Sequence, residues 1–215
     1  MSKMPLSIAL FTAPLGVASF LCMSCITMSL QSPEVLEKGK IGIGVHVGYP
    51  LEALSAESED QGDSPPLIVQ GTLQFGLGKR MELGFNGGTI GLEGNFKVGL
   101  TAPENRAKFS LITGVSTPYF STVGFNVGVL GGYTIANVLR PYVGYRHHLF
   151  IAEPVFFEGD LIGGLEILVA KHIGFLFELN RMVSFTSLDD YFDDIDLSDV
   201  YFKATMLSGG LVFKL

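Results

Sequence analysis

The chain has 215 residues, enough for one domain, and 16% of them are charged, against roughly 25% in an ordinary soluble domain. A formal net charge of -7 and a pI of about 5.0 argue against a nucleic-acid partner. Mean hydropathy is +0.40, yet beyond residue 30 no unbroken apolar run approaches the ~20 residues that a membrane helix needs, which leaves a membrane β-barrel as the expected class.

The N-terminus reads as a secretory leader. Lys3 gives a short positive region, Pro5 to Ala18 an apolar segment, and Val17-Ala18-Ser19 the small residues that a signal peptidase requires. Residues 1–25 are therefore expected to be a signal peptide cleaved after about residue 19. A membrane anchor through Cys25 is the alternative, opposed by the breakers Pro5, Pro14 and Gly16. Leu21-Cys22-Met23-Ser24-Cys25 loosely resembles a lipoprotein box with its leucine one place early, so lipidation at Cys25 is a further alternative. Both cysteines sit in this leader, which excludes a disulfide inside the barrel and a paired CxxC zinc site. Residues 26–39 read as a periplasmic N-terminal segment and residues 40–215 as the barrel.

Apolar side chains then recur at a period of two, the mark of strands with one greasy and one polar face. In the first strand Ile41, Ile43, Val45, Val47 and Tyr49 alternate with Gly42, Gly44, His46 and Gly48. The second spans Leu67 to Leu77. The third and fourth form a hairpin over Glu82 to Leu100, joined at Gly87-Gly88-Thr89. Further strands are predicted over Ala107 to Ser116, Val123 to Tyr133, Pro141 to Leu149 and Asp160 to Ala170. The ninth pairs Phe175, Phe177 and Leu179 with Glu178 and Asn180, and the tenth runs from Leu207 to Leu215. The expected fold is all-β: an antiparallel up-and-down transmembrane β-barrel of about ten strands, with eight as the alternative.

Connection lengths and charge sort together. Two connections are long, Pro50 to Pro66 and Met182 to Phe202, and they carry no Lys or Arg. Their acidic residues include Glu57, Glu59, Asp60 and Asp63 in the first and Asp189, Asp190, Asp193, Asp194 and Asp196 in the second. The short connections on the opposite side each hold a base: Lys79 and Arg80, Arg106, Arg140, and Lys171. Long outer loops and short periplasmic turns are the outer-membrane pattern. With the hairpin repeats, the Arg140-Pro141-Tyr142-Val143-Gly144-Tyr145 turn-strand and the ending Leu211-Val212-Phe213-Lys214-Leu215, residues 40 to 215 resemble the small outer-membrane β-barrel proteins of two-membrane bacteria. The resemblance implies an integral bacterial outer-membrane protein whose partners are outer-membrane lipids, lipopolysaccharide and, during insertion, the barrel-assembly machinery. The chain departs from the pattern by ending in Leu215 where an aromatic is usual.

Alternation alone also fits a soluble lipocalin-like carrier, with its apolar face inward. The polar face decides against it, being mainly Gly, Asn, Gln, Ser and Thr with isolated charges, which suits a confined lumen. That lumen would hold an ionic network of Glu82, Glu93, Lys97, Lys108, Arg146, Asp160, Glu166 and Glu178, with His46 and His148 beside it. Unpaired charges in a narrow interior are costly, so Lys97 and Lys108 are expected to pair with Glu82 and Glu93.

No catalytic site is predicted. A deacylase-like site needs His near Ser and a carboxylate, and His148 with Arg146 and Glu158 comes nearest without a serine. An omptin-like protease needs paired aspartates facing an Asp-His pair, of which Asp189-Asp190 and His148 supply only pieces. Asp194-Ile195-Asp196-Leu197-Ser198 resembles the start of an EF-hand loop, but Asp199 stands where glycine belongs and Thr205 where the bidentate Glu belongs. The acidic loops are left with loosely held divalent cations as partners, and no cofactor is expected. The functional expectation is a non-enzymatic barrel, either a narrow cation-preferring pore or a surface-exposed membrane anchor. The alternative is a surface binding or adhesion protein acting through loops 50–66 and 182–202.

Overall fold

The computed structural model describes residues 30–51, 67–89, 91–118, 122–151, 155–185 and 201–215. The strands in chain order are β1 (Ile41–Pro50), β2 (Ile68–Gly78), β3 (Met81–Gly88), β4 (Gly91–Gly99) and β5 (Ala107–Pro118), then β6 (Val123–Tyr133), β7 (Leu139–Ile151), β8 (Phe156–Ala170), β9 (Ile173–Phe185) and β10 (Tyr201–Lys214). Each pairs antiparallel with its neighbours in sequence, and β1 pairs with β10, so a ten-strand sheet closes on itself. Closure is what hydrocarbon demands, because lipid offers no hydrogen-bond partner to the free edge of a sheet.

The burial pattern is that of a water-soluble domain turned inside out. In β1, Ile41, Ile43, Val45 and Val47 are exposed while Gly42, Gly44, His46 and Gly48 are buried. The same holds around the barrel, where Val127 is 57% exposed and Lys97 only 1%. A lipocalin-like carrier would have the opposite arrangement, and this face assignment removes that reading.

Five strands outrun the sequence expectation, β5 and β7 by two residues at an end and three others further. β8 begins at Phe156 instead of Asp160, β9 continues to Phe185, and β10 starts at Tyr201 instead of Leu207. Backbone pairing such as Glu158 with Ser184 carries the ladder onward. Alternation fades there because a side chain above the bilayer no longer has to be apolar to face outward. The acidic residues predicted for the long loops, Glu57 to Asp63 and Asp189 to Asp196, lie outside the described residues, as do Cys22, Cys25 and the leader.

Two features inside the barrel carry no alternation signal. One is a small apolar cluster in the lumen, formed by Leu30, Ile68, Leu130, Tyr142, Ile162, Leu176, Met206 and Val212. The other is the source of Leu30 itself. Residues 30–36, ahead of β1, run along the interior as a strap, with Leu30, Gln31, Ser32 and Leu36 buried, and residues 37–40 lead out to β1. The wall is cut back to let it pass. A Cβ on Gly76 would collide with the Glu37 carbonyl, and one on Gly132 would lie 2.8 Å from Pro33 Cγ.

The outward face gives a direct test. Phe96 faces lipid at mid-strand in β4, opposite Leu83 of β3. Phe96→Arg should lower the unfolding free energy by about 2–4 kcal/mol in lipid vesicles, read from urea titration of the folded, heat-modifiable band.

Candidate functional site

The lumen is the only place where the described polar side chains converge, and it is organised in tiers. At the mouth formed by the short turns, Glu166 of β8 accepts hydrogen bonds from Arg140 of β7 and from Lys214 of β10, the latter at 2.7 Å. Arg140 and Lys214 also reach Glu34 of the strap, each at 2.9 Å. Two acids and two bases from four chain segments therefore close this end.

Beside them, Glu82 of β3 and Lys97 of β4 stand at paired positions and form an ion pair of 2.8 Å. Each also holds the strap. The Leu36 amide donates to Glu82 Oε2 at 2.8 Å, and Lys97 donates to the Ser32 carbonyl at 3.2 Å. Deeper in, Glu178 of β9 accepts from the Leu30 amide and from the Tyr142 hydroxyl, both at 2.9 Å. Tyr142 reaches it because its ring occupies the space where a Cβ on Gly164 would lie. Five wall residues, Arg140, Lys214, Glu82, Lys97 and Glu178, thus fasten the strap.

The half away from the short turns is braced by side-chain contacts. Arg146 of β7 spans the lumen to Glu93 of β4 at 3.0 Å, and Asn86 donates to the second Glu93 oxygen at 3.3 Å. His148 Nε2 meets Asp160 Oδ2 at 3.0 Å, with its ring stacked on Phe150. His46 fills the space over Gly210.

All eight residues of the predicted network are buried in this lumen: Glu82, Glu93, Lys97, Lys108, Arg146, Asp160, Glu166 and Glu178. Their partners differ from the expected pairing in two places. Glu93 takes Arg146, not a lysine, and Lys108 donates to the Pro103 carbonyl of its own turn. Register across β3 and β4 sets Lys97 against Glu82, which leaves Glu93 facing the far wall. Sequence reasoning missed Glu34, Arg140, Tyr142 and Lys214. Lys214 stood on the polar face of the last strand, and that signal was available. Arg140 read as a turn residue, and Glu34 lies in a segment without periodicity. Among the described residues no group of three or more His, Cys, Asp or Glu is placed to hold a metal ion.

No protein-family profile matches the chain, and no curated protein does. Its structural neighbours are bacterial outer-membrane β-barrels. An outer-membrane channel from Pseudomonas putida F1 is 10% identical, covering 88% of this chain and 100% of its own, with a TM-score of 0.47. The outer-membrane protease OmpT from Escherichia coli is 8% identical over 82% of this chain and 92% of its own, with a TM-score of 0.42. The Neisserial surface protein NspA is 9% identical over 82% and 96%, with a TM-score of 0.37. At these identities the likeness is one of barrel architecture.

Burial pushes the Glu34 carboxyl up, but Lys214 and Arg140 outweigh it and hold the group at about 2, below its ordinary 4.5. A depressed carboxyl stabilises the folded state above its ordinary value and loses that contribution as pH falls through the lowered one. The mouth latch should therefore hold at neutral pH and weaken between about 4.5 and about 2. The chain has no tryptophan, so Val35→Trp supplies a single reporter beside the latch. Its emission should shift to the red across that window, and Glu34→Gln should flatten the shift.

Pairing in the lumen predicts a pattern of couplings. Glu82→Gln strands the Lys97 ammonium and should cost about 3–5 kcal/mol in unfolding free energy, part of which Lys97→Met restores. Glu93→Gln combined with Lys97→Met should instead be additive, because Glu93 is coupled to Arg146. Urea titrations of the four variants measure both cycles.

Proposed function

We propose that this chain is a non-enzymatic integral barrel of the bacterial outer membrane that anchors its acidic outer loops at the cell surface. The apolar exterior and polar interior support a membrane location. Long acidic connections on one side and short basic turns on the other support an orientation with the long ones outward. The observation that carries the anchor reading over the pore is the filled lumen. Buried ion pairs brace both halves, the strap lies in the periplasmic half, and an apolar cluster includes Leu30. An ion crossing such an interior would have to break charge pairs that have no water to replace them, which costs several kcal/mol per group.

The loops then do the work. Glu57, Glu59, Asp60, Asp63, Asp189, Asp190, Asp193, Asp194 and Asp196 form a one-signed outer charge that attracts cationic partners and divalent ions. That makes surface binding the activity and the barrel its rigid base. His148 and Asp160 form the pair that most resembles acid-base machinery, and Phe150 packs their ring face in the buried interior. We assign them to bracing.

Two measurements test this reading together. Purified barrel in planar bilayers should give no single-channel steps at neutral pH, and protease added to intact cells should cut only within residues 50–66 and 182–202. Regular cation-selective steps from the unaltered protein would replace the anchor with a pore. Cleavage at the short turns instead would invert the orientation.

A further inference from the structure

The outward face of the barrel holds a cleft over β5 to β9. Phe109, Gly131, Val143, Gly163 and Leu179 stand in one row across β5 to β9, each paired to the next. The two glycines take positions where other outward residues carry Val, Leu or Phe. The Phe109 ring leans over Gly131, but around Gly163 a Cβ would meet nothing within 4 Å. The result is a cleft of about 700 Å³ in the lipid-facing wall. It crosses four strand intervals, roughly 19 Å at ~4.8 Å each, of which about 12 Å lies along the membrane normal at a strand tilt near ~40°, within the ~15 Å depth of one hydrocarbon leaflet.

One charged side chain lines this otherwise apolar cleft, and it is Arg181. Arg181 is exposed and faces outward with Leu179 on β9. It stands eight residues beyond Ile173, the first residue of β9. At ~3.4 Å per residue and a tilt near ~40°, that puts it about 20 Å above the periplasmic turn, near the outer edge of a ~25 Å apolar band. Phe109, at the other end of the row, lies two residues beyond Ala107 and so near the inner side. The cleft therefore descends from a cation at the outer headgroup level into the hydrocarbon. Tyr145 stands beside the upper part, its hydroxyl 3.2 Å from His147 Nδ1. Amphipathic rings are favoured at that level.

We propose that this cleft binds one molecule of the phosphorylated glycolipid of the outer leaflet, with a lipid phosphate on Arg181 and an acyl chain over Gly163. A guanidinium has five N–H donors in a planar fork, which matches two phosphate oxygens and leaves donors for protein partners. The missing side chain at Gly163, where a Cβ would meet nothing within 4 Å, gives the chain a bed. This inference rests on the outer-membrane placement proposed above.

The test uses the full-length barrel purified in a neutral detergent and native mass spectrometry with diphosphoryl lipid A as the probe. Cell fractionation of each variant, run in parallel, separates failure of the placement from failure of the site. We expect one retained lipid A per barrel, with dephosphorylated lipid A and phosphatidylglycerol held at least about tenfold more weakly. Arg181→Gln should cost about tenfold in retention, and Gly163→Leu, which fills open space, should cost a similar factor while leaving the folded band intact. Unchanged retention in both variants, or equal retention of phosphatidylglycerol, overturns the proposal. Correct outer-membrane fractionation with no lipid A retained overturns the site alone.

Discussion

A sheet surrounded by hydrocarbon can have no free edge, and the pairing of β1 with β10 is where this chain meets that condition. Everything else is arranged around it. Once the sheet is closed, each strand has one face in lipid and one in a narrow interior, and the two faces make opposite demands. Outward positions carry Val, Leu, Ile and Phe. Inward positions carry groups that must find partners within a few ångströms, because the interior has little room for water.

The interior meets that requirement in two ways. Away from the short turns, side chains reach across the lumen to one another, as Arg146 does to Glu93. Toward the short turns, the strap supplies partners for charged groups of the wall. Its carbonyl at Ser32, its amides at Leu30 and Leu36 and its carboxylate at Glu34 each answer a charged group from the wall. The strap is therefore a structural part of the lumen, much as a core residue is part of a soluble domain. The same filling sets the functional reading, since a lumen occupied by paired charges favours the surface over the passage as the place of action.

How much of this could be read beforehand follows from the same physics. Strand number and the two faces were legible because lipid and lumen impose a period of two along every strand, as Ile41 to Gly48 displays. Strand ends were not, since the ladder continues past Asp160 and Leu207 into a region where neither face is fixed by lipid. The buried charges could be named as a set from the polar faces, but their partners could not. Glu93 and Arg146 are 53 residues apart and meet across the barrel, a relation set by closure and not by local spacing. The strap was illegible altogether: Leu30 to Leu36 has no period, and its partners are scattered from Glu82 to Lys214.

The position of the last gripping residue bears on assembly. Lys214 of β10 pairs with Gly42 in the β1–β10 seam, and it holds Glu34. The segment that leads into β1 is thus clasped by the strand that shuts the barrel. Threading such a segment into a finished cylinder would mean dragging charged groups past a mouth that is already occupied. Laying it against β3, β4 and β7 first and then swinging β10 across encloses it at no such cost. The seam therefore favours an order in which the strap is gathered first and closing the wall locks it.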